Sequence, residues 1–474
     1  MATIDNIITP SYTTKDTFNS NRECINYYVE AAPQGKWQYT LQPTPGLTSF
    51  AVTDGTRLRA LINYNETLYG VSSDKFFRCS SDGTVTNLGT LESSLENVDI
   101  AAVKDQIMIV DGVQGYIYII STNTFQTITD LDFPVGPNSV TANNGRFIVE
   151  EPLTERFWWS DLRDGLTWDG LSFASAENKT DDVLAVHSTG MYLVIMGREN
   201  SEIWQNVGGL DVFSPVSGTY IDYGIMAIRS VAQIGSSIFA LVQNDKGQGE
   251  VIQTINFDVS VISTPAVTYQ LSQYEVLDDA KGFAFQLNGH IFYALTFPTA
   301  DVTWLYDSVT GLWSKWLSWN GISDGRHKSN CYAFCYGKHL VGDFQSGSIY
   351  QLDTENYTDG GTRIRREVIF PFPTDENKRV SIYNFQISFE KGSGLTTGQG
   401  SDPTVMFQFS KDAGHTWGGE RHRPISKLGD YLPRAFWGMI GQGAQPYGKI
   451  SITDPIFVPI LGATASLSSE DGDF

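Results

Sequence analysis

The sequence predicts an all-β protein: a β-propeller followed by a small antiparallel β-sandwich, with an extended N-terminal arm. Three observations carry this reading. Apolar strand starts recur about 40 to 50 residues apart through the middle of the chain, the spacing of propeller blades. Gly- and Asn-containing pairs sit between successive strands, where short hairpins need positive φ. Helical periodicity is nearly absent, and 45 Gly, 27 Phe, 22 Tyr and 11 Trp suit many short strands joined by turns.

Residues 1–55 precede the repeats. Pro43, Pro45 and Gly46 break this segment into short extended pieces, fit for a closing strand or an arm on a neighbour. The propeller is expected over residues 56–372. Its units start at "RALINYNETLYGV", "DIAAVKDQIMIVDG", "SVTANNGRFIVEE", "DVLAVHSTGMYLVIMG", "SVAQIGSSIFALVQ", "GFAFQLNGHIFYALTF" and "NCYAFCYGKHLVGDF". Seven blades follow, or six if the first or last unit is incomplete. Asn144-Gly145, Gly235-Ser236, Asn288-Gly289 and Tyr336-Gly337 supply turns. A unit of this kind cannot bury both faces alone, so the units must stack around an axis. Trp304, Trp313, Trp316 and Trp319 are expected to pack between blades. Alternating strands then continue over 373–465, as the sandwich, and 466–474 form an acidic tail expected to be disordered.

With 41% apolar and 18% charged residues in 474, the chain has enough apolar material for sizeable cores. Its formal charge of −21 disfavours general nucleic-acid binding, which rests on Lys and Arg. It suits a wall that DNA slides past without sticking. The start shows no basic region followed by an apolar core, and no apolar run reaches the length of a membrane span. Cys24, Cys79, Cys331 and Cys335 are expected to stay as thiols. Cys331 and Cys335 lack a second zinc-like pair. His187, His290, His327, His339, His415 and His422 are scattered, so no metal or cofactor is expected.

One motif raises the question of catalysis. Ser410, Asp412, Gly414 and Trp417 have the spacing of the Asp-box found in sialidases and related propellers. Sialidases usually repeat that box blade after blade and grip substrate with several arginines. Here the box falls outside the repeats, and no triple of arginines is evident at unit starts. The box therefore reads as a hairpin turn: Asp412 bonds turn amides, Gly414 takes the left-handed position and Trp417 packs beneath. Nucleophile-elbow, zincin and phosphate-loop motifs are missing too, so no catalytic residues are assigned. Two basic clusters stand out as interface candidates: Arg363, Arg365 and Arg366, then Arg421, Arg423 and Lys427.

Blocks in order along nearly the whole chain carry a more specific likeness. They include "CINYYVEAAPQGKWQYTLQPTPGLTSF", "NNGRFIVEEPLTERFWWSDLRDGLTWDGLSFASAENKTDDVLAV", "GTYIDYGIMAIRSVAQIGSSIFAL", "FYALTFPTADVTWLYDSVTGLWSKW", "YGKHLVGDFQSGSIYQLD" and "FQFSKDAGHTWGGER". Together they resemble the phage stabilisation family, the P22-like packaged-DNA stabilisation or tail-hub proteins of short-tailed phages. The resemblance implies a virion tail protein assembled in the host cytoplasm and without enzymatic activity. It implies a homo-oligomeric ring, a hexamer, below the portal and its adaptor. It also implies contact with a tail needle or plug, with tailspikes or fibres, and transiently with passing DNA. The alternative carried alongside is a sugar-binding or sialidase-like propeller acting on host polysaccharide.

Overall fold

The computed structural model describes every residue except 1, 4–6, 95–97, 177–180, 210–211, 245, 375–377, 391, 432–433 and 471–474. Strands take 57% of the chain and helix 2%. The architecture is a β-propeller followed by a β-sandwich.

Antiparallel units follow one another in chain order. The first runs Leu58–Tyr64, Thr67–Ser72, Lys75–Cys79 and Val85–Thr90. The second runs Asp99–Val103, Gln106–Val110, Gly115–Ile119 and Thr124–Thr127. Units starting at Val140–Asn143, Val183–Thr189, Ala232–Ile234, Lys281–Leu287 and Ser329–Cys335 complete the series among the described residues. The turns have the chemistry their backbone demands. Asn144 and Gly145 lie at φ 47° and 81°, and Asn288 and Gly289 at 51° and 86°. These are the paired positive values of a two-residue hairpin.

Apolar cores lie between successive units. Phe239, Leu241 and Val251 of one unit share a core with Tyr293, Trp304 and Trp313 of the next. Trp316 is buried in the following cluster, against Val341 and Leu352. Packing of this kind explains three of the four tryptophans in that stretch; Trp319 is only half-buried. The first strands of the units, and in the fifth unit Ile228, Arg229 and Val231 just before its first strand, line an axial cavity of about 510 Å³. The helix Pro265–Leu271 was not foreseen in the sequence. Thr264 caps it by accepting Val267 N, and Val267 and Leu271 are buried in the adjoining core.

Of the two readings of the N-terminal segment, a closing strand or an arm on a neighbour, Gly46–Val52 takes the first. Gly46–Val52 pairs antiparallel with Ser348–Asp353, as the outer strand of the last unit. Asn21–Ile25 bridges Leu312–Lys315 of the propeller on one side and pairs with Arg366–Pro371 of the sandwich on the other. One sheet therefore runs unbroken from the propeller into the sandwich, with ten strands among the described residues. The hairpin Tyr27–Ala31 and Tyr39–Pro43 joins the opposite sandwich sheet through Leu41 and Ile460. The sandwich core draws on both ends of the sequence: Ile7, Tyr27 and Leu41 pack with Phe385, Phe407 and Trp437.

Two boundaries also shift. Arg366–Pro371 pairs with Tyr447–Ile452, so the sandwich begins before residue 373. Residues 466–470 are not a disordered tail. They continue the strand Ile460–Glu470, paired with Arg379–Phe389 because alternating Ala463, Ala465 and Leu467 feed the core. Residues 471–474 lie outside the described residues.

Candidate functional site

The box is a closed hydrogen-bonded turn at the end of strand Thr404–Ser410. Ser410 Oγ donates to Asp412 Oδ1 at 2.7 Å and accepts from Gly414 N at 2.9 Å. Asp412 Oδ1 also accepts Thr416 N at 2.9 Å, and Oδ2 accepts Thr416 Oγ1 at 2.6 Å. These donors, the Thr416 hydroxyl foremost, hold the Asp412 carboxyl down at about 2. Gly414 stands at φ 88°. Trp417 packs against Ile369, Ala413 and Tyr447, with Lys449 Nζ 4.6 Å from the ring centre.

Every oxygen of this carboxylate is engaged by the turn itself. The turn also grips the N-terminal segment. Asn21 Nδ2 donates to Ala413 O at 2.9 Å, and Thr17 Oγ1 lies 3.0 Å from His415 Nε2. The box thus pins residues 17–21 against the sandwich.

The two basic clusters come apart. Arg363 is exposed. Arg365 is turned onto Asp324, 3.1 Å away, and onto Glu367. Arg366 is fully buried, with Nη1 donating to Asp454 O at 3.4 Å and its guanidinium 5.6 Å from the Tyr357 ring centre. Burial lowers its pKa, partly offset by Tyr27 and Asp359. Arg366 is therefore no docking cation, which corrects its place among the interface candidates. Sequence alone cannot separate these neighbours: Arg363 ends the strand Thr362–Arg363 and Arg366 begins the strand Arg366–Pro371, whose pairing inside the sandwich buries it. Arg421 and Arg423 lie on the exposed edge strand Arg421–Pro424 and donate to Met439 O and Phe436 O. Lys427 pairs with Asp402 at 3.3 Å on the surface.

Other titratable groups are structural in their contacts. His290 Nδ1 lies 2.8 Å from Asp307 Oδ2 and Nε2 lies 2.7 Å from Glu30 Oε2. His327 is fully buried and stacks on Trp316 at 3.7 Å; burial drives its pKa down to about 3. The four cysteines are free thiols. Among the described residues no group of three His, Cys, Asp or Glu is arranged to hold a metal ion.

Sequence reasoning missed one concentration of charge. Arg59, Asp99, Arg229 and Lys281 all line the axial cavity, each at or just before the beginning of a unit's first strand. Arg229 Nη1 lies 3.0 Å from Asp99 Oδ1. Lys281 Nζ donates to Asn330 Oδ1 at 3.1 Å. The signal was faint: Arg59 and Asp99 are the first letters of their units, while Arg229 and Lys281 lie one position before theirs. A search for three arginines overlooked two arginines and a lysine.

With this geometry in hand, comparison with known proteins decides the family. The model described as Bacteriophage P22 Gp10, beta-propeller, matches residues 9–357, and the model for its beta-sandwich matches residues 365–468. The chain belongs to the phage stabilisation family. As a member of the phage stabilisation family it is a structural component of a phage particle. No curated protein matches it. Among solved structures, the N-terminal domain of Nup159 is similar at TM-score 0.44 and 12% identity, covering 70% of this chain and 98% of that one. The Neurospora crassa Pan2 WD40 domain is similar at TM-score 0.41 and 7% identity, over 65% and 95%. A chain in the S. cerevisiae dbp5 complex with nup159 and gle1 gives 0.42 and 12%, over 69% and 98%.

Proposed function

We propose that this chain is the tail hub, or nozzle, of a short-tailed phage. It forms a homo-oligomeric ring, a hexamer, below the portal and its adaptor. It connects that assembly to the needle or plug, helps retain packaged DNA and later lets it pass. Tailspikes or fibres dock on its side.

The observation that carries this reading is the match of both family models, in order, over both domains. The structure supports it in physical terms. A ring that holds DNA under pressure needs subunits that do not hinge. Here a sheet crosses from propeller to sandwich, and the N-terminal segment is stitched into both. The net charge of −21 keeps passing DNA from adhering. Exposed apolar side chains on loops and outer strands, including Leu131, Val135 and Leu171, give partners a desolvatable surface. The role is non-catalytic: the Asp412 carboxylate is consumed by its own turn.

Mass measurement of the purified chain, alone and mixed with the adaptor ring, tests this reading. A six-fold assembly on the adaptor is the expected result, and particles lacking the chain should package DNA and then leak it. A persistent monomer that ignores the adaptor, or one that hydrolyses a sialoside, overturns the proposal.

A further inference from the structure

Three hairpin tips meet on one rim of the propeller, between the fourth and fifth units. They are the turns that follow Val183–Thr189, Ala232–Ile234 and Gly249–Ile255. Together they border a cleft of about 650 Å³. Gln233 ties the first two tips: its Nε2 donates to Thr189 Oγ1 at 3.0 Å and to Gly235 O at 2.9 Å. Walls fixed in this way lose little freedom when a ligand arrives.

The third turn is strained. Asn256 and Phe257 stand at φ 52° and 72°. Asn144-Gly145 and Asn288-Gly289 have similar paired values, with glycine in the second place. Here a phenylalanine takes a conformation that any side chain disfavours. Its ring meets that of Tyr192 edge to face across the unit boundary, 5.1 Å between centroids and 88° between planes. Local strain of this kind is concentrated at ligand clamps and switch regions.

The chemistry of the wall selects its ligand. None of the residues lining the cleft is acidic or basic apart from the phenol of Tyr192. An ion would lose water there and gain no counter-charge. Tyr192, Phe257 and the exposed Met191 offer apolar contact. Ser236, Asn256 and the buried Thr254 add two hydroxyls and an amide. These side-chain groups have no hydrogen-bond partner among the described residues, and a purely apolar ligand would leave them so. A pyranose ring matches both halves of the wall. One of its faces carries C–H groups that lie on an aromatic ring, and its hydroxyls radiate from the rim toward donors and acceptors.

We propose that this cleft is a binding site for a neutral sugar, as a pyranose or disaccharide unit. Its volume falls within the range of small-molecule sites. Its wall holds no carboxylate pair, so the sugar is bound and not cleaved. The site needs neither the ring nor the adaptor.

Saturation-transfer NMR on the full chain tests this, with the methyl glycosides of glucose, galactose, mannose, N-acetylglucosamine and rhamnose as probes. Transfer to at least one of them is expected, strongest at the C–H groups of one ring face, with a dissociation constant on the order of 1 mM. Glucuronic acid, glucosamine and adenosine, run alongside, should bind more weakly than that sugar. Phe257→Gly suits the left-handed backbone better than the native residue, so the variant folds, which thermal unfolding checks. It should weaken binding by about tenfold or more. Thr254→Val keeps the shape of the side chain and removes its hydroxyl; a loss of about fivefold is expected. Lys104→Gln, at a hairpin tip of the second unit, leaves binding unchanged. Transfer to none of the neutral sugars overturns the proposal. So does binding of glucuronic acid, glucosamine or adenosine as tight as that of the best sugar, or binding undiminished in both Phe257→Gly and Thr254→Val.

Discussion

His290 of the propeller reaches Glu30 of the N-terminal hairpin, 2.7 Å from Nε2 to Oε2, across 260 positions of sequence. Its other nitrogen lies 2.8 Å from Asp307. The buried imidazole is thus clamped between two carboxylates, one from the propeller and one from the segment woven into the sandwich.

This clamp predicts a pH dependence. The bond to Asp307 first, then that to Glu30, outweigh burial and raise His290 to about 9. A folded-state pKa above the unfolded value of about 6.5 means stability fully present below that value and lost as pH rises through about 9. The contribution is on the order of 1–2 kcal/mol after solvent screening. Urea unfolding across this range should show the decline, and His290→Gln should flatten it. An unchanged slope in the variant removes His290 as the cause.

The box predicts the opposite sign at the acid end. Asp412 titrates at about 2 when folded, below the ordinary carboxylate value, so its contribution is present at neutral pH. It is lost as pH falls from about 4 through about 2. Asp412→Ala should cost about 1 kcal/mol at neutral pH through the loss of the turn bonds. Amide exchange should quicken at Thr416, whose N–H loses its acceptor.

Two neighbours in the first basic cluster should respond very differently. Arg366→Ala removes a fully buried side chain and should cost about 3 kcal/mol or more. Arg363→Ala, on the exposed side, should stay within about 0.5 kcal/mol. Chemical denaturation of both variants measures the contrast, and similar losses contradict the register described above.

The outer strand of the last unit predicts long-range coupling. Leu47 is fully buried there, so Leu47→Ala should cost about 2–5 kcal/mol. The N-terminal segment ties both domains, so the chain should unfold in one transition seen alike by fluorescence of Trp437 in the sandwich and Trp313 in the propeller. A variant that splits the two signals shows the domains to be independent.

The propeller and the sandwich were legible because their information is local. Period-two apolar strands and Asn-Gly turns such as Asn144-Gly145 write themselves into a few consecutive residues. The box turn was legible for the same reason: Ser410, Asp412, Gly414 and Thr416 satisfy one another within seven positions. Pairings across hundreds of positions were not legible. Nothing near Gly46 says that it lies opposite Asp353, nor does anything near Asn21 name Ala413 as its acceptor. Burial of Arg366 close to exposed Arg363 likewise depends on long-range pairing: the strand Arg366–Pro371 is paired on both sides, by Asn21–Ile25 and Tyr447–Ile452. The charges lining the axial cavity show the limit most clearly. Arg59, Arg229 and Lys281 are separate letters in the sequence, and only closure of the first strands around an axis brings them to one cavity. Sequence determined the elements, because hydrogen bonding and alternation act over neighbours. Tertiary structure decided which charges are buried, paired or gathered, because electrostatics and burial act over space.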